Sequence, residues 1–329
     1  MSVLRNDYKV VWFDRWERSI DEALQSLPEM DACPHALYRL LIENSGPCRK
    51  RTALVLARDE VLAVVGLRWQ WQRWDPIMNW IVPGCPFPVR DGYFFKVLEA
   101  LGVESKVALW RCESLLEHAE EQQIVRSFHR SPTHKLQLAG PVEEYWKKSG
   151  SFYKTVRNIR NRCKDYVLEV NPVGAAEWTI KHWGGKWQLT PDAQFNDLSD
   201  RLIVARYLEE EGQYFTIMLL ADGEPVAGFS SLVHRNDLVC QYNYRLPEHD
   251  KAGVGVYIYD RVAHWAKDAG FAVMDIGGGH DYKDRWAPLD GEKMEIDICP
   301  EWDYRLKQAS SLLGRIKSKV ANLVRSNGE

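Results

Sequence analysis

The sequence predicts an α/β (α+β) protein of two like domains, each a mixed, largely antiparallel twisted sheet flanked by helices, with an amphipathic helix closing the chain. Three observations predict it. The second half carries three strand patterns joined by short turns. A glycine-rich turn then leads into a helix and a buried strand. The first half holds a fainter copy of the same order of parts. The expected boundaries are 1–140, 141–298 and, for the basic terminal helix, 299–329.

In the first half, "LARDEVLAVVG" (Leu56 to Gly66) lies on "LADGEPVAG" (Leu220 to Gly228), with Ala57, Glu60 and Ala63 matching Ala221, Glu224 and Ala227. "DGYFFKVLEALG" then reads as a helix ending in glycine, and "SKVALWRC" as a strand. Trp69 and Trp71 alternate with Arg68, Gln70 and Gln72 at strand period, which predicts tryptophans filling a sheet face. Before the helix stands "VPGCPFPVRDG", whose prolines remove backbone donors. A duplication altered at this turn leaves only the second copy chemically equipped.

Between the copies, Pro141 opens one helix. A second, from Ser151, puts Phe152, Val156, Ile159 and Cys163 on one face and Lys154, Arg157, Arg160 and Lys164 on others. Those cations are either a solvated face or a wall beside an anionic ligand. In the second half the first strand runs to Ala221, and Asp222-Gly223 is a two-residue hairpin turn. Glu224 to about Val233 and Leu238 to Tyr244 follow as strands. A helix spans roughly Val256 to Ala269, stopped by Gly270, and "FAVMDI" is a short buried strand. The terminal "YRLKQASSLLGRIKSKVANLVRS" sets Leu312, Leu313, Ile316, Val320 and Leu323 against a basic face. It packs on the body or lies in the headgroup layer of an anionic membrane.

Composition narrows the function. A net charge of -3 gives no global field for nucleic acid. Seven cysteines with no C-x-x-C or H-E-x-x-H argue against a zinc site or a disulfide framework and fit a reducing cytoplasm. Charges at Arg5, Asp7 and Lys9 interrupt any signal-peptide core, and no apolar stretch is long enough to span a bilayer.

The chemistry should lie near two glycine runs. "MDIGGGHDYKDRW" (Met274 to Trp286) fails the spacing of a Walker loop and of a dinucleotide fingerprint, and His280 with Asp281 is a weak metal pattern. In "HDKAGVG", Gly253 and Gly255 stand just before a helix, where backbone N–H groups and the helix dipole favour an anion. Lys251 adds a full charge. On the glycines alone, a plain tight turn is the simpler account.

Together these parts resemble the GNAT acyltransferase superfamily, and more closely its bacterial FemAB-like branch (the CelD-type acetyltransferases) associated with polysaccharide biosynthesis. The residues that carry the resemblance are "FYKTVRNIRNRCKDY", "LLADGEPVAG", the "AGVG" turn and "MDIGGGHDYKDRW". The resemblance implies tandem GNAT-like domains and acyl-CoA (acetyl-CoA) as co-substrate, without a metal. Its acceptor would be an amine on a small molecule, a sugar or a lipid-linked precursor. It implies Tyr244 and Lys251, Ala252, Gly253, Val254, Gly255 and Val256 at the cofactor. Asp275 or His280 would act as base, Lys283 or Tyr282 as donor to the oxyanion, and Arg157, Arg160, Tyr242 and Trp286 would line the acceptor site. One departure stands out: Asp250 occupies the place where the superfamily's loop usually begins with Arg or Gln. Two other readings remain open, an aminoacyl-tRNA-dependent FemAB-type transferase and a non-catalytic scaffold of a polysaccharide-synthesis complex.

Overall fold

A computed structural model describes residues 8–44, 49–70, 73–78, 85–104, 107–110, 125–188, 198–278 and 281–298. Turn chemistry sets its hairpins. Asp222 and Gly223 both take positive φ (52° and 83°), the mirror-image turn whose twist matches paired strands. At the matched place in the first half, Arg58 and Asp59 do the same (48° and 67°) without a glycine. The copy therefore keeps its turn geometry after losing its best turn residue.

The first half runs β1 (Tyr8–Phe13), α1 (Arg18–Gln25), α2 (His35–Asn44), β2 (Lys50–Ala57), β3 (Glu60–Gln70), β4 (Arg73–Pro76), α3 (Phe94–Glu104), β5 (Val107–Trp110) and β6 (Val125–Gln137). Next come α4 (Glu143–Lys148) and α5 (Phe152–Arg162). The second half runs β7 (Val167–Val170), α6 (Ala175–Gln188), α7 (Ser199–Glu210), β8 (Tyr214–Ala221), β9 (Glu224–His234), β10 (Asp237–Arg245), α8 (Val254–Asp268), β11 (Val273–Gly277) and β12 (Leu289–Ile298). α3 does not stop at Gly102 but continues two residues through it.

The like halves share one sheet of twelve strands, in the order β1-β2-β3-β4-β5-β12-β6-β11-β10-β9-β8-β7. Its middle is an exchange. β12, the last strand among the described residues, pairs with β5 of the first half, and β6 pairs with β11 of the second. The expected boundary at 140 thus falls after a strand that closes the other half's sheet edge.

Apolar alternation along the strands gives each face a core. On one face α4, α5 and α8 bury Trp146, Phe152, Val156, Ile159, Ile258 and Val262 against Phe229, Leu238 and Met274. On the other, Ala176 and Ile180 of α6 and Val204 and Leu208 of α7 join a core continuous with the first half's Tyr38, Leu41, Val64 and Leu67. A buried ion pair, Arg68 of β3 with Asp200 of α7, spans the same junction. Phe87, fully buried and stacked on Phe94, fills the space ahead of α3 in the first half.

Trp69 differs from expectation. It is 41% exposed and meets Trp74, its partner across the β3–β4 pair, edge-on. Trp71, Gly279, His280 and the expected terminal helix 299–329 lie outside the described residues. No helix among the described residues is long and apolar enough to cross a membrane.

Candidate active site

The site begins where two strands part. β10 and β11 pair in parallel at only three positions, Asp237 with Val273, Leu238 with Met274 and Val239 with Asp275. Beyond them β10 follows β9, with a bulge between Cys240 and Tyr242, while β11 bends toward β6, where Gly277 faces His134. The backbone of β10 past Val239 therefore lacks its β11 partner, an open strand edge with which an extended, amide-bearing chain can pair. The opening is a cleft of about 690 Å³.

Strand alternation gives the cleft two walls. Asn243 and Arg245 point to α8: Asn243 Nδ2 donates to Tyr259 Oη (3.1 Å), and the Arg245 side chain lies over Gly255, where a Cβ would come within 2.8 Å of its Cδ. Tyr242 and Tyr244 point to α6. Tyr242 packs at a tilt against Trp183 (4.8 Å) and accepts from Arg201, while Tyr244 lies beside His182 and Trp178.

At the head of α8, Gly253 has φ +89°, a conformation that disfavours side chains. A Cβ there would also crowd Ile159 of α5 at 2.9 Å, so glycine seats the turn on its neighbour. The amides of Val256 and Tyr257 turn back on the Gly253 carbonyl. Those of Val254 and Gly255 precede any intrahelical acceptor and are donors for an outside anion. Arg245 Nε donates to Asp250 Oδ1 at 2.5 Å, which fixes a guanidinium beside them. Lys251 is exposed and outside the cleft lining, and its carbonyl accepts from Arg162 Nη1.

The far end of the cleft is the glycine run after β11. Asp275, 5% exposed, accepts the Gly277 amide at 2.7 Å and does not line the cleft. Lys283 Nζ donates to the carbonyls of Ile276 (2.5 Å) and Gly278 (3.0 Å). His134, missed by sequence reasoning, has Nδ1 3.1 Å from the Gly277 carbonyl and Nε2 2.7 Å from Asp284. The three side chains hold the turn from three sides. Gly277 itself takes φ +69°.

Tyr282 stands half-exposed at the rim, its Oη 3.4 Å from that of Tyr259. Tyr259 accepts from Asn243, and either phenol can donate in the contact between Tyr259 and Tyr282. Burial pushes the Tyr282 phenol up despite that hydrogen bond, and burial raises Tyr259 far more. Both are protonated donors at neutral pH. Trp286, 4% exposed, closes the floor, stacked on Tyr259 (5.4 Å).

The expected acceptor cations lie elsewhere. Arg160 grips Asp260 with Nε at 2.8 Å and Nη2 at 2.6 Å and reaches Glu143 at 3.2 Å, an ion-pair network joining α5, α8 and α4. Arg157 is exposed on α5, outside the cleft lining. Tyr242 is 4% exposed and behind the α6 wall. The structure thus brings together Gly253, Gly255, Val256, Tyr244, Tyr282, Lys283 and Trp286, with Tyr259, Asn243, Arg245, Trp183 and Lys186 as unforeseen neighbours. "QYNYR" held the signal for two of these, since its polar residues alternate against the tyrosines. Among the described residues no group of His, Cys, Asp and Glu could hold a metal ion.

Comparison with known proteins bears on the fold. Residues 151–285 match the family model of the acetyltransferase (GNAT) domain. No curated protein matches the sequence. Similar solved structures include L-PGS from Bacillus licheniformis (TM-score 0.53, 13% identity, 92% of this chain and 98% of that one). Another is the C-terminal domain of a protein assigned as a lysylphosphatidylglycerol synthetase from Agrobacterium fabrum (TM-score 0.50, 12% identity, 89% and 96%). FemX is similar at TM-score 0.49 (13% identity, 90% and 99%). At such identities the likeness is one of fold, and the fold is GNAT-like.

Proposed function

We propose that this chain is an N-acyltransferase that moves an acyl group, acetyl in the simplest case, from acyl-CoA to an amine. The observation that carries the reading is the parting of β10 from β11 beside the head of α8. The free amides of Val254 and Gly255, with Arg245, suit the diphosphate of CoA, and the open edge of β10 suits the amides of its pantetheine arm. The thioester then falls near the glycine run, Tyr282 and Tyr259.

The reaction forms one C–N bond and breaks one C–S bond. The amine lone pair adds to the thioester carbonyl, and the collapsing intermediate expels a thiolate. Tyr282, half-exposed in the cleft lining, donates to the developing oxyanion or to that thiolate. Lys283 is a positioning residue, engaged on the carbonyls of Ile276 and Gly278. Since Asp275 is buried, holds the Gly277 amide and does not line the cleft, we assign removal of the amine's proton to His280, two residues before Tyr282 in the chain. The acceptor is an amino sugar or another envelope or lipid precursor, and the basic segment 299–329 suits contact with an anionic membrane surface.

Calorimetric titration with CoA and acetyl-CoA tests the donor. Saturable binding of both is expected, and an absence of binding at millimolar concentration ends the proposal. A second reading keeps the fold and changes the donor, since one fold relative carries a name that speaks of lysylphosphatidylglycerol. Binding of an aminoacyl-tRNA in place of CoA in the same titration would favour it.

A further inference from the structure

Three successive carbonyls at the end of β11 are held by side chains. Lys283 Nζ donates to those of Ile276 (2.5 Å) and Gly278 (3.0 Å), and between them the Gly277 carbonyl lies 3.1 Å from His134 Nδ1. His134 is 3% exposed, and its Nε2 is tied at 2.7 Å to Asp284. The backbone carbonyl of Asp284 accepts in turn from Tyr145 Oη (2.9 Å). Asp275 takes the Gly277 amide at 2.7 Å. The two peptide planes between Ile276 and Gly278 are thus fixed before any ligand arrives.

That fixing decides where one amide goes. No peptide bond of the described chain is cis, and across a trans peptide the N–H runs opposite to the C=O. The Gly277 carbonyl is turned to His134 of β6, so the Gly278 N–H is turned away from it. In the sheet β6 flanks β11 on one side and β10 on the other, and the cleft opens where β10 leaves. Gly278 lines that cleft. No acceptor for its amide occurs among the described residues. A preset N–H on the wall of a cleft is what negative charge developing on an oxygen requires.

Resting on the acyl-CoA reading, we propose that the Gly278 amide is the oxyanion donor, with His134 and Lys283 as its positioning residues. As the amine lone pair forms the C–N bond, the carbonyl π pair moves onto oxygen and is held by this N–H. The pair returns as the C–S bond breaks. The amine's proton goes to the base, and the departing thiolate takes one from Tyr282. The first half thereby gains a part in the chemistry, since His134 stands on β6 and the sheet exchange brings it to the glycine run.

Infrared difference spectroscopy of acetyl-CoA, labelled with heavy carbon at the thioester carbonyl, tests this. Spectra are compared at saturation, as judged by calorimetry, so that a change in affinity does not enter. The carbonyl stretch should move to lower frequency on binding to the unaltered protein. Glycolic acid incorporated at position 278 replaces that one N–H by an ester oxygen, and the shift should be lost. His134→Ala should lose most of it, whereas His134→Gln, which keeps a side-chain N–H for the Gly277 carbonyl, should retain more. A merely structural histidine would lower the melting temperature of both variants without grading the carbonyl shift. Bound acetyl-CoA with an unshifted carbonyl overturns the proposal, as does a shift that survives the ester or is equal in the two His134 variants. Failure of the donor reading looks different: acetyl-CoA then gives no saturable heat with the unaltered protein, and this assignment falls with it.

Discussion

At the residue scale, Arg245 carries the most weight. The sequence showed only a loss, with Asp250 standing where the related loops have a cation. The structure shows Asp250 binding Arg245, whose guanidinium then lies over Gly255. No loop pattern contains that cation, because it comes from the preceding strand. Arg245→Ala should weaken CoA binding about 10- to 100-fold, the worth of ~1.5–3 kcal/mol for a charge-assisted hydrogen bond. Unchanged affinity in calorimetry would place the diphosphate elsewhere. Asp275 is the opposite case, a residue whose type promised more than its placement delivers. An aspartate ending an apolar strand looks like a buried base, yet its carboxylate closes a turn on the Gly277 amide. Asp275→Asn keeps an oxygen for that bond, so turnover should stay within a few-fold, whereas Asp275→Ala should lower kcat through the displaced glycine run. A loss of 10²-fold or more in the Asn variant would restore the carboxylate as general base.

At the element scale, the helices were legible and their partners less so. The apolar face of α5 is buried where periodicity put it, at Phe152, Val156, Ile159 and Cys163. Its cations did not sort by pattern, since the pairing of Arg160 with Asp260 joins residues a hundred positions apart. That network gives α4 a pH dependence with a definite sign. Burial raises Glu143, but hydrogen bonds from His264, from its own backbone amide and from Arg160 outweigh it and hold the carboxyl below 4.5. A depressed carboxylate contributes stability that is complete above its unfolded value and is lost as pH falls through the lower folded value. Thermal melts from pH 6 down to about 3 should therefore show Glu143→Gln less stable than the parent at the upper end and converging with it at the lower. Parallel curves would mean that the carboxylate's charge does not matter to the fold.

At the scale of the whole molecule, the duplication was readable and the exchange was not. Hairpin, helix and strand leave local marks that repeat, and the repeated left-handed turns at Arg58-Asp59 and Asp222-Gly223 preserve them in geometry. A strand that pairs with β11 rather than with its own half leaves no such mark, since register depends on residues some 140 positions away. The exchange sets the smallest unit that can hold the cleft. Without β6, β11 loses the partner that bends it away from β10, and its outer edge is left unpaired. A fragment of residues 141–298, the domain expected from sequence, should be insoluble or give no cooperative melt. Extending it to 125–298 restores the β6–β11 and β6–β12 ladders and should gain solubility. It still exposes the α6–α7 face that continues the first half's core, so its melting temperature should remain below that of the full chain. A 141–298 fragment that melts cooperatively and binds CoA like the full protein would show the exchange to be dispensable, and the opening between β10 and β11 would then need another cause.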